Sequence, residues 1–275
     1  MDQLPSLIRS RVYAGLVAAL LASSLSGENQ GQKFGVAVAS AATAAQEAEL
    51  VALRSGNGTE NQAYVKRPEA GAVRGGVLIV HDWFGVTDAT HDAAKRLSEL
   101  GYVTLVVDLY DGQSGSTHAE AFALMKALDA ETAQEVIRDG LRYLADLGSP
   151  GRKLAVLGFS AGTVHALEAV LRDPEAVSAT VLVYGDAESD PARLSALASP
   201  VLFIMGSKDD PDGAFRFLKS MEEAERLAEV FIYPGARHAF AQPLFNDGKN
   251  LDPTATRVSW MLMADFLARH MAPSE

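Results

Sequence analysis

The 275-residue chain contains no cysteine and has relatively few basic residues. Without cysteine it can form no disulfide, no thiolate metal site and no cysteine nucleophile. The 35 acidic residues outnumber the 24 basic ones, and the net charge is -11. This charge argues against nucleic acid or an anionic membrane surface as a partner, because both attract basic patches. With 48% apolar and 21% charged residues, the composition is that of a globular protein.

The chain also lacks an apolar run of the roughly 20 residues that a stable membrane span needs. Arg9 and Arg11 precede the short apolar stretch Val12–Leu21, and a second alanine-rich run ends in the small residues Ala42–Ala44. A basic flank, a short apolar core and an A-x-A-like site are typical of an export signal. We therefore predict that residues 1–45 are an export signal and linker, and that the protein is periplasmic or secreted. The alternative is an extension of a cytoplasmic protein.

Strand and helix patterns alternate through the rest of the chain, so residues 46–275 are predicted to form one domain. Continuous apolar runs such as Gly76–Val80 suit parallel strands that are buried on both faces. Repeated strand–helix units indicate an α/β fold, with a mostly parallel central sheet and helices on both faces. We predict strands at 50–53, 63–66, 76–80, 102–107, 153–158, 178–184, 200–205 and 229–233, and helices at 87–100, 118–129, 131–147, 161–172, 213–228 and 253–270.

The segment Gly158-Phe159-Ser160-Ala161-Gly162 fits the pattern G-x-S-x-G. An apolar strand runs into it and a helical pattern runs out of it, which is the strand–turn–helix context of a nucleophile elbow. The tight turn requires small residues on both sides of the serine, and the helix N-terminus favours negative charge that develops there. Ser160 is therefore the candidate nucleophile. The alternative is a glycine-rich turn in which the serine only caps the helix.

A serine hydroxyl needs a neighbouring base, and His238 is the candidate. It lies in the loop after the last predicted strand, and loops at the carboxyl ends of parallel strands are where such sites form. His81 also ends a strand, but it precedes the serine, whereas the chain order of this architecture is serine, acid, histidine. The remaining histidines are predicted to be surface or structural residues: His91, His118, His165 and His270.

The acid that orients the histidine is expected between the serine and the histidine in the chain. Asp209 and Asp210 directly follow the apolar strand at 200–205, so both position and order fit. We favour Asp209, with Asp210 as the alternative. Asp186 and Asp190 follow the preceding strand and are the weaker candidates.

Two further features complete the predicted site. The backbone N–H of Ala161, directly after the serine, can stabilise an oxyanion, and the loop His81–Gly85 should supply a second donor. The chain has no H-x-H or H-E-x-x-H spacing, so no metal site is predicted. A metal enzyme therefore stays a minor alternative.

Together these segments resemble the dienelactone hydrolase family, in the family's order along about residues 49–271. The matching pieces are His81–Gly85, Gly101–Tyr110, Gly158–Gly162, Gly206–Asp209 and Pro234–Phe240. The resemblance implies a compact α/β-hydrolase fold without metal or cofactor. It also implies Ser160 as nucleophile, Asp209 as acid and His238 as base, with the oxyanion N–H groups on Trp83 and Ala161. His81 and Asp82 would then lie next to the catalytic residues and help to hold them in place.

The sequence departs from that family at three points. Ser160 stands where the family often has cysteine, and Asp82 stands where it often has glutamate. The arginines that hold the dienelactone carboxylate in its best-known members fall at Gly112 and Gln242, neither of which can pair with a carboxylate. We therefore expect a small neutral ester or lactone as the substrate, cleaved through an acyl-serine intermediate. The alternatives are an amidase or acylpeptide hydrolase on the same triad, and a non-catalytic binding protein of the same fold.

Overall fold

The computed structural model describes residues 11–13, 48–55, 58–69, 71–147 and 153–272. Within these ranges the strands form one twisted sheet. They are β1 (Arg11–Tyr13), β2 (Glu49–Arg54), β3 (Glu60–Lys66), β4 (Gly75–Val80), β5 (Tyr102–Val107), β6 (Leu154–Phe159), β7 (Ala179–Val183), β8 (Val201–Gly206) and β9 (Ala228–Tyr233). Their spatial order is β1-β9-β8-β7-β6-β4-β5-β3-β2. The hairpin β2–β3 and the pair β3–β5 are antiparallel, and all other neighbours are parallel.

Helices cover both faces of this sheet. They are α1 (Asp88–Glu99), α2 (His118–Ala127), α3 (Ala130–Leu147), α4 (Gly162–Arg172), α5 (Pro191–Leu194), α6 (Pro211–Glu223) and α7 (Pro253–His270). Apolar side chains of α3, α4 and α6 pack in one core, while those of α1 and α7 pack in a second core. Because both faces are covered, every residue of β4, β5 and β8 is buried. The predicted α/β-hydrolase fold is thereby confirmed.

The carboxyl ends of β4, β6, β7, β8 and β9 lie along one edge of the sheet because these strands run parallel. The segments that follow them therefore meet in space although they are far apart in the chain. This edge brings together the loop after Val80, the turn at Ser160, the loop after Gly206 and the loop after Tyr233. All the predicted site residues belong to these four segments.

The element boundaries lie within three residues of the predicted ones except at the end of α6, and the start of β3 at Glu60 rather than at 63 is the next largest difference. Helix α6 ends at Glu223 rather than at 228, because the chain turns at Glu225, which has a left-handed φ of 56°. The short helix α5 and a 3₁₀ turn at Phe245–Gly248 were not predicted. Both are too short to show a helical repeat in the sequence.

Most of the predicted export segment, residues 1–45, lies outside the described residues. Its three described residues, Arg11–Tyr13, form β1 and pair in parallel with Glu229–Phe231 of β9 at one edge of the sheet. Within the part of the chain that the structure describes, no helix has the length and apolar character needed to cross a membrane.

Candidate active site

Ser160 stands at the sharp turn between β6 and α4. Its φ of 49° is left-handed, which is unfavourable for a residue with a side chain and marks a strained turn. The turn is held by two backbone hydrogen bonds, from Ser160 N to Val183 O at 3.0 Å and from Thr163 N to Ser160 O at 3.0 Å. The strain is the geometric cost of raising the hydroxyl above the edge of the sheet.

The glycines of the G-x-S-x-G pattern are required by packing around this turn. A Cβ on Gly158 would lie 2.7 Å from Gly162 O, and a Cβ on Gly162 would lie 2.7 Å from Val80 O. Both contacts are with backbone atoms, which cannot move aside easily. The helix α4 can therefore approach β4 and β6 closely only if both positions are glycine, and this close approach fixes the position of Ser160.

A hydrogen-bonded relay joins the three side chains that the sequence predicts. Ser160 Oγ lies 2.9 Å from His238 Nε2, and His238 Nδ1 lies 2.9 Å from Asp209 Oδ2. The arrangement requires the neutral imidazole to carry its proton on Nδ1, so that Nε2 can accept from the serine hydroxyl. The His238 and Asp209 side chains are 30% and 15% exposed, so substrate can reach the base while the acid stays mostly covered.

The adjacent Asp210 has a different structural role. Its Oδ1 accepts a hydrogen bond from Gly213 N at 2.9 Å and caps α6, while Oδ2 pairs with Arg216 at 3.3 Å. Of the other two candidates, Asp190 caps α5 through Ala192 N. Asp186 lies exposed at the rim of the site, and its backbone carbonyl accepts from Thr163 Oγ1. The structure thus brings only Asp209 to the histidine.

The predicted oxyanion donors are on two residues of the wall of the cavity beside Ser160. Trp83 and Ala161 both line it, and among the described residues neither amide has an acceptor. Free N–H groups beside a serine hydroxyl are the elements of an oxyanion hole. Trp83 lies in the loop after β4 and Ala161 lies at the start of α4, so the two residues come from different segments of the chain.

His81 is buried and does not contact Ser160. Its Nδ1 lies 2.6 Å from Asp82 O, and its Nε2 accepts from Leu109 N at 3.1 Å. Burial lowers the pKa of His81, an effect that outweighs the neighbouring carboxylates of Asp82 and Asp108, so the ring is neutral. The sequence placed His81 as a competitor for the base. The structure shows it instead tying the loop after β4 to the segment after β5.

Asp82 links the two loops that flank the nucleophile. Its Oδ1 accepts from Phe84 N at 2.9 Å, and its Oδ2 accepts from Gln242 Nε2 at 2.5 Å. Burial raises the pKa of Asp82, and these two hydrogen bonds partly oppose the rise. Gln242 follows the histidine loop, so this contact joins the Trp83 side of the site to the His238 side. Gly112 is the other position at which the family resemblance places a carboxylate-binding arginine. It donates its N–H to Asp108 Oδ2 and does not line the cavity.

The relay opens into a cavity of about 330 Å³. Met125, Phe245 and Tyr184 contribute apolar and aromatic wall, although none of the three was predicted. Tyr184 follows the carboxyl end of β7 and has a φ of 41°. Its position at the end of a strand was the one feature of the sequence that could have indicated a place in the site. Among the described residues, no lysine or arginine lines the cavity, and the carboxylates in its wall are those of Asp186, Asp209 and Asp210.

The other histidines lie away from the relay, with one exception. His91 packs edge-on against Tyr64, His165 is partly buried in α4, and His270 ends α7. His118 is exposed as predicted, but its ring also packs against Trp83 and Phe245, which line the cavity. Among the described residues, no group of three or more His, Asp or Glu side chains is placed to hold a metal ion.

Comparison with known proteins identifies a family for this chain. Residues 62–271 match the model of the dienelactone hydrolase family. A Bradyrhizobium protein named "Probable 2-oxo-3-(5-oxofuran-2-ylidene)propanoate lactonase" is 28% identical over 232 residues, covering 78% of this chain and 92% of its own.

Solved structures share the fold. A dienelactone hydrolase-like promiscuous phosphotriesterase from metagenomic libraries superposes with a TM-score of 0.72 at 20% identity, covering 82% of this chain and 100% of its own. A dienelactone hydrolase from Anabaena variabilis superposes with a TM-score of 0.64 at 23% identity, covering 82% and 98%.

Proposed function

Because the chain belongs to the dienelactone hydrolase family, we propose that it hydrolyses carboxylic esters or lactones through an acyl-enzyme on Ser160. The observation that carries this proposal is the relay of Ser160, His238 and Asp209, which is hydrogen-bonded at both contacts and opens into a cavity. A serine hydroxyl becomes a competent nucleophile only beside such a base. A non-catalytic binding protein would not need this hydrogen-bonded arrangement.

In the first half of the reaction, Ser160 Oγ attacks the ester carbonyl carbon while its proton passes to His238 Nε2. The carbonyl oxygen becomes an oxyanion and accepts from the N–H groups of Trp83 and Ala161. Asp209 stabilises the imidazolium that forms. When the tetrahedral intermediate collapses, His238 gives the proton to the leaving alkoxide oxygen, and the alcohol departs. For a lactone, the alcohol stays attached to the acyl group.

In the second half, water takes the place of the alcohol. His238 removes a proton from the water as it attacks the acyl-serine carbonyl, and the same two N–H groups receive the second oxyanion. Collapse returns the proton to Ser160 Oγ and releases the carboxylic acid. Every proton moves through His238 Nε2, so no metal or cofactor is needed in this sequence of steps.

The charge of the cavity favours an uncharged substrate. As far as the structure describes the chain, its wall contains three carboxylates, those of Asp186, Asp209 and Asp210, and no lysine or arginine. A carboxylate on the acyl group would be repelled by these side chains. Gly112 and Gln242, which stand where the family's best-known members have carboxylate-binding arginines, provide no positive charge to offset the repulsion. We therefore propose small neutral esters and lactones as the substrate class.

A matched pair of substrates tests this proposal. p-Nitrophenyl butyrate and mono-p-nitrophenyl succinate have acyl chains of similar length but differ in a terminal carboxylate. We expect kcat/KM to be about 10-fold or more higher for the butyrate, since about 1.4 kcal/mol of repulsion corresponds to a factor of ten. Preference for the succinate would contradict the neutral-substrate proposal. Faster cleavage of the p-nitroanilide of the same acyl group would favour an amidase instead.

We also propose that the protein is exported, on the basis of the basic flank and short apolar core within residues 1–45. Expression of the full chain in a bacterial host, followed by fractionation and N-terminal sequencing, tests this. A mature protein outside the cytoplasm, cleaved close to Ala44, is the expected result. An uncleaved cytoplasmic product would contradict it.

A further inference from the structure

A segment that contributes Phe245 to the wall of the cavity is connected to His238, the proposed base, by a chain of hydrogen bonds. We call the residues Phe245–Asn250 the strap. Asn250 Nδ2 donates to the backbone carbonyl of His238 at 2.9 Å, and Asn250 Oδ1 accepts from Asn246 Nδ2 at 3.0 Å. Asn246 N in turn donates to His118 Nε2 at 3.1 Å. The chain thus runs from the first residue of α2, across the strap, to the proposed general base.

The carbonyl that Asn250 binds lies at a strained point of the backbone. Ala239, the next residue, has a left-handed φ of 56° although it carries a Cβ. A conformation of this kind persists only where surrounding contacts hold it. The Asn250 amide supplies one such contact, because it fixes the direction of the peptide group between His238 and Ala239. That peptide group is bonded to the Cα of His238, so its direction constrains the backbone that carries the imidazole.

The strap also contacts the imidazole directly. The ring centroids of Phe245 and His238 lie 5.1 Å apart with the planes tilted by 59°. Phe245 in turn packs against His118 and Trp83, with centroid distances of 5.2 and 6.1 Å. His118 therefore holds the strap in two ways, by accepting from Asn246 N and by packing against Phe245.

The strap itself needs these contacts to keep its shape. Asn246 and Asp247 have left-handed φ values of 51° and 53°. Two successive non-glycine residues in that region are unfavourable by themselves. The exposed ion pair between Lys249 and Asp247 lies within the strap but does not touch His238. It offers a control position on the same segment.

We propose that Asn250 is a positioning residue for His238, and that His118 anchors the strap from which Asn250 acts. This inference rests on the proposed function, in which His238 is the general base. Asn250 touches neither the reacting atoms nor Ser160. Its effect passes through the backbone carbonyl of His238, so it should influence turnover rather than substrate binding.

The test compares Asn250→Ala, Asn250→Asp and Lys249→Ala in the full chain. Asn250→Asp keeps the volume and the acceptor but loses the donor. Both Asn250 variants should lower kcat by about 10- to 100-fold, because a small misplacement of a catalytic group has effects of that size. The value of kcat is calculated per active site, with the number of active sites determined by titration with a fluorophosphonate. KM should stay within about twofold, since the amide does not contact the cavity. Lys249→Ala should leave kcat and KM unchanged.

A spectroscopic readout separates positioning from a purely structural role. The downfield ¹H resonance of His238 Nδ1–H, hydrogen-bonded to Asp209, should shift or broaden in both Asn250 variants and stay unchanged in Lys249→Ala. This signal does not require turnover, so it tests the positioning of His238 even if no ester is cleaved. An unchanged resonance together with unchanged kcat would overturn the proposal. The proposal would also be overturned if fewer active sites of the variants reacted with the fluorophosphonate while kcat per reactive site stayed equal to that of the parent.

A second variant tests the anchor. His118→Phe keeps a ring against Phe245 but removes the acceptor for Asn246 N, whereas His118→Gln retains an acceptor. We expect kcat to fall about 3- to 10-fold in His118→Phe and less in His118→Gln. Because both residues belong to one hydrogen-bonded chain, His118→Phe should add little to Asn250→Ala. Full additivity of the two effects would show that His118 does not act through Asn250.

Discussion

At the scale of single residues, two adjacent aspartates of the same loop have separate roles, which substitution should distinguish. Asp209 binds His238 Nδ1, whereas Asp210 caps α6 and pairs with Arg216. Asp209→Asn should lower kcat/KM by about 10³- to 10⁴-fold, because the imidazole loses the partner that orients it and stabilises its charged form.

Asp210→Asn is the matched control for that substitution. Asparagine is also a good N-cap, so activity should stay within a few-fold and the free energy of unfolding should change by under about 1 kcal/mol. Steady-state kinetics and urea unfolding of both variants check this. A larger loss of kcat/KM in Asp210→Asn than in Asp209→Asn would mean that the assigned acid is wrong.

The sequence predicted those residues that a local pattern marks. Ser160 lies in a pattern of five residues with a strand before it and a helix after it, and chain order then pointed to Asp209 and His238. It did not predict contacts between distant segments. His118 and Asn246 are 128 residues apart, and Asp82 and Gln242 are 160 apart. No spacing rule relates such positions, because only the folded sheet edge brings them together.

At the scale of elements, the end of α6 shows how one residue stops a helix. Arg226 N donates to Met221 O at 2.8 Å, and Glu225 between them is left-handed, which is the Schellman arrangement. Glycine is preferred at this position because it lacks the Cβ that makes the left-handed region unfavourable. Glu225→Gly should therefore raise the free energy of unfolding by about 0.5–1 kcal/mol.

The end of α1 provides the converse control. Gly101, with a φ of 94°, follows that helix, and a Cβ there would lie 3.1 Å from the Arg74 side chain. Gly101→Ala should lower the free energy of unfolding by about 1 kcal/mol or more. Chemical denaturation of both variants measures the two effects. Stabilisation by Gly101→Ala would contradict this account of how the helices end.

Most elements were predictable because their apolar patterns are strong. The buried strands β4, β5 and β8 appear in the sequence as largely apolar runs, and α3 is long enough to show a helical repeat. The α6 boundary was wrong because Glu225 carries no sequence signal for a left-handed turn. The strap was not predicted because its shape depends on tertiary hydrogen bonds rather than on local propensity.

At the scale of the whole molecule, buried histidines should make stability depend on pH. Burial lowers the pKa of His81 and of His165 below that of a free histidine. A base with a lower pKa in the folded state than in the unfolded state takes up its proton on unfolding. Its contribution to stability is full above pH 6.5 and decreases as the pH falls below that value.

This effect can be isolated by comparing slopes. The free energy of unfolding of the parent should decrease between pH 7 and pH 5.5, with at most about 1.4 kcal/mol per pH unit from each histidine. Asp82, whose pKa is raised above 3.8 by burial, has the opposite sign, because its contribution to stability is full below pH 3.8 and is lost as the pH rises through its folded-state pKa. His81→Gln should flatten the slope whatever it does to the absolute stability. An equal slope in the parent and His81→Gln would contradict the assignment of a neutral His81.

The proposed mechanism requires a covalent bond between Ser160 Oγ and the acyl group of the substrate. The measurement is intact and peptide mass spectrometry of the parent and of Ser160→Ala, quenched with acid during turnover of p-nitrophenyl butyrate. We predict that the parent carries one acyl group on the peptide that contains Ser160. Ser160→Ala should carry none, and its kcat should be lower by about 10⁴-fold or more. Equal turnover by the two proteins, or an acyl group on another residue, would contradict the mechanism.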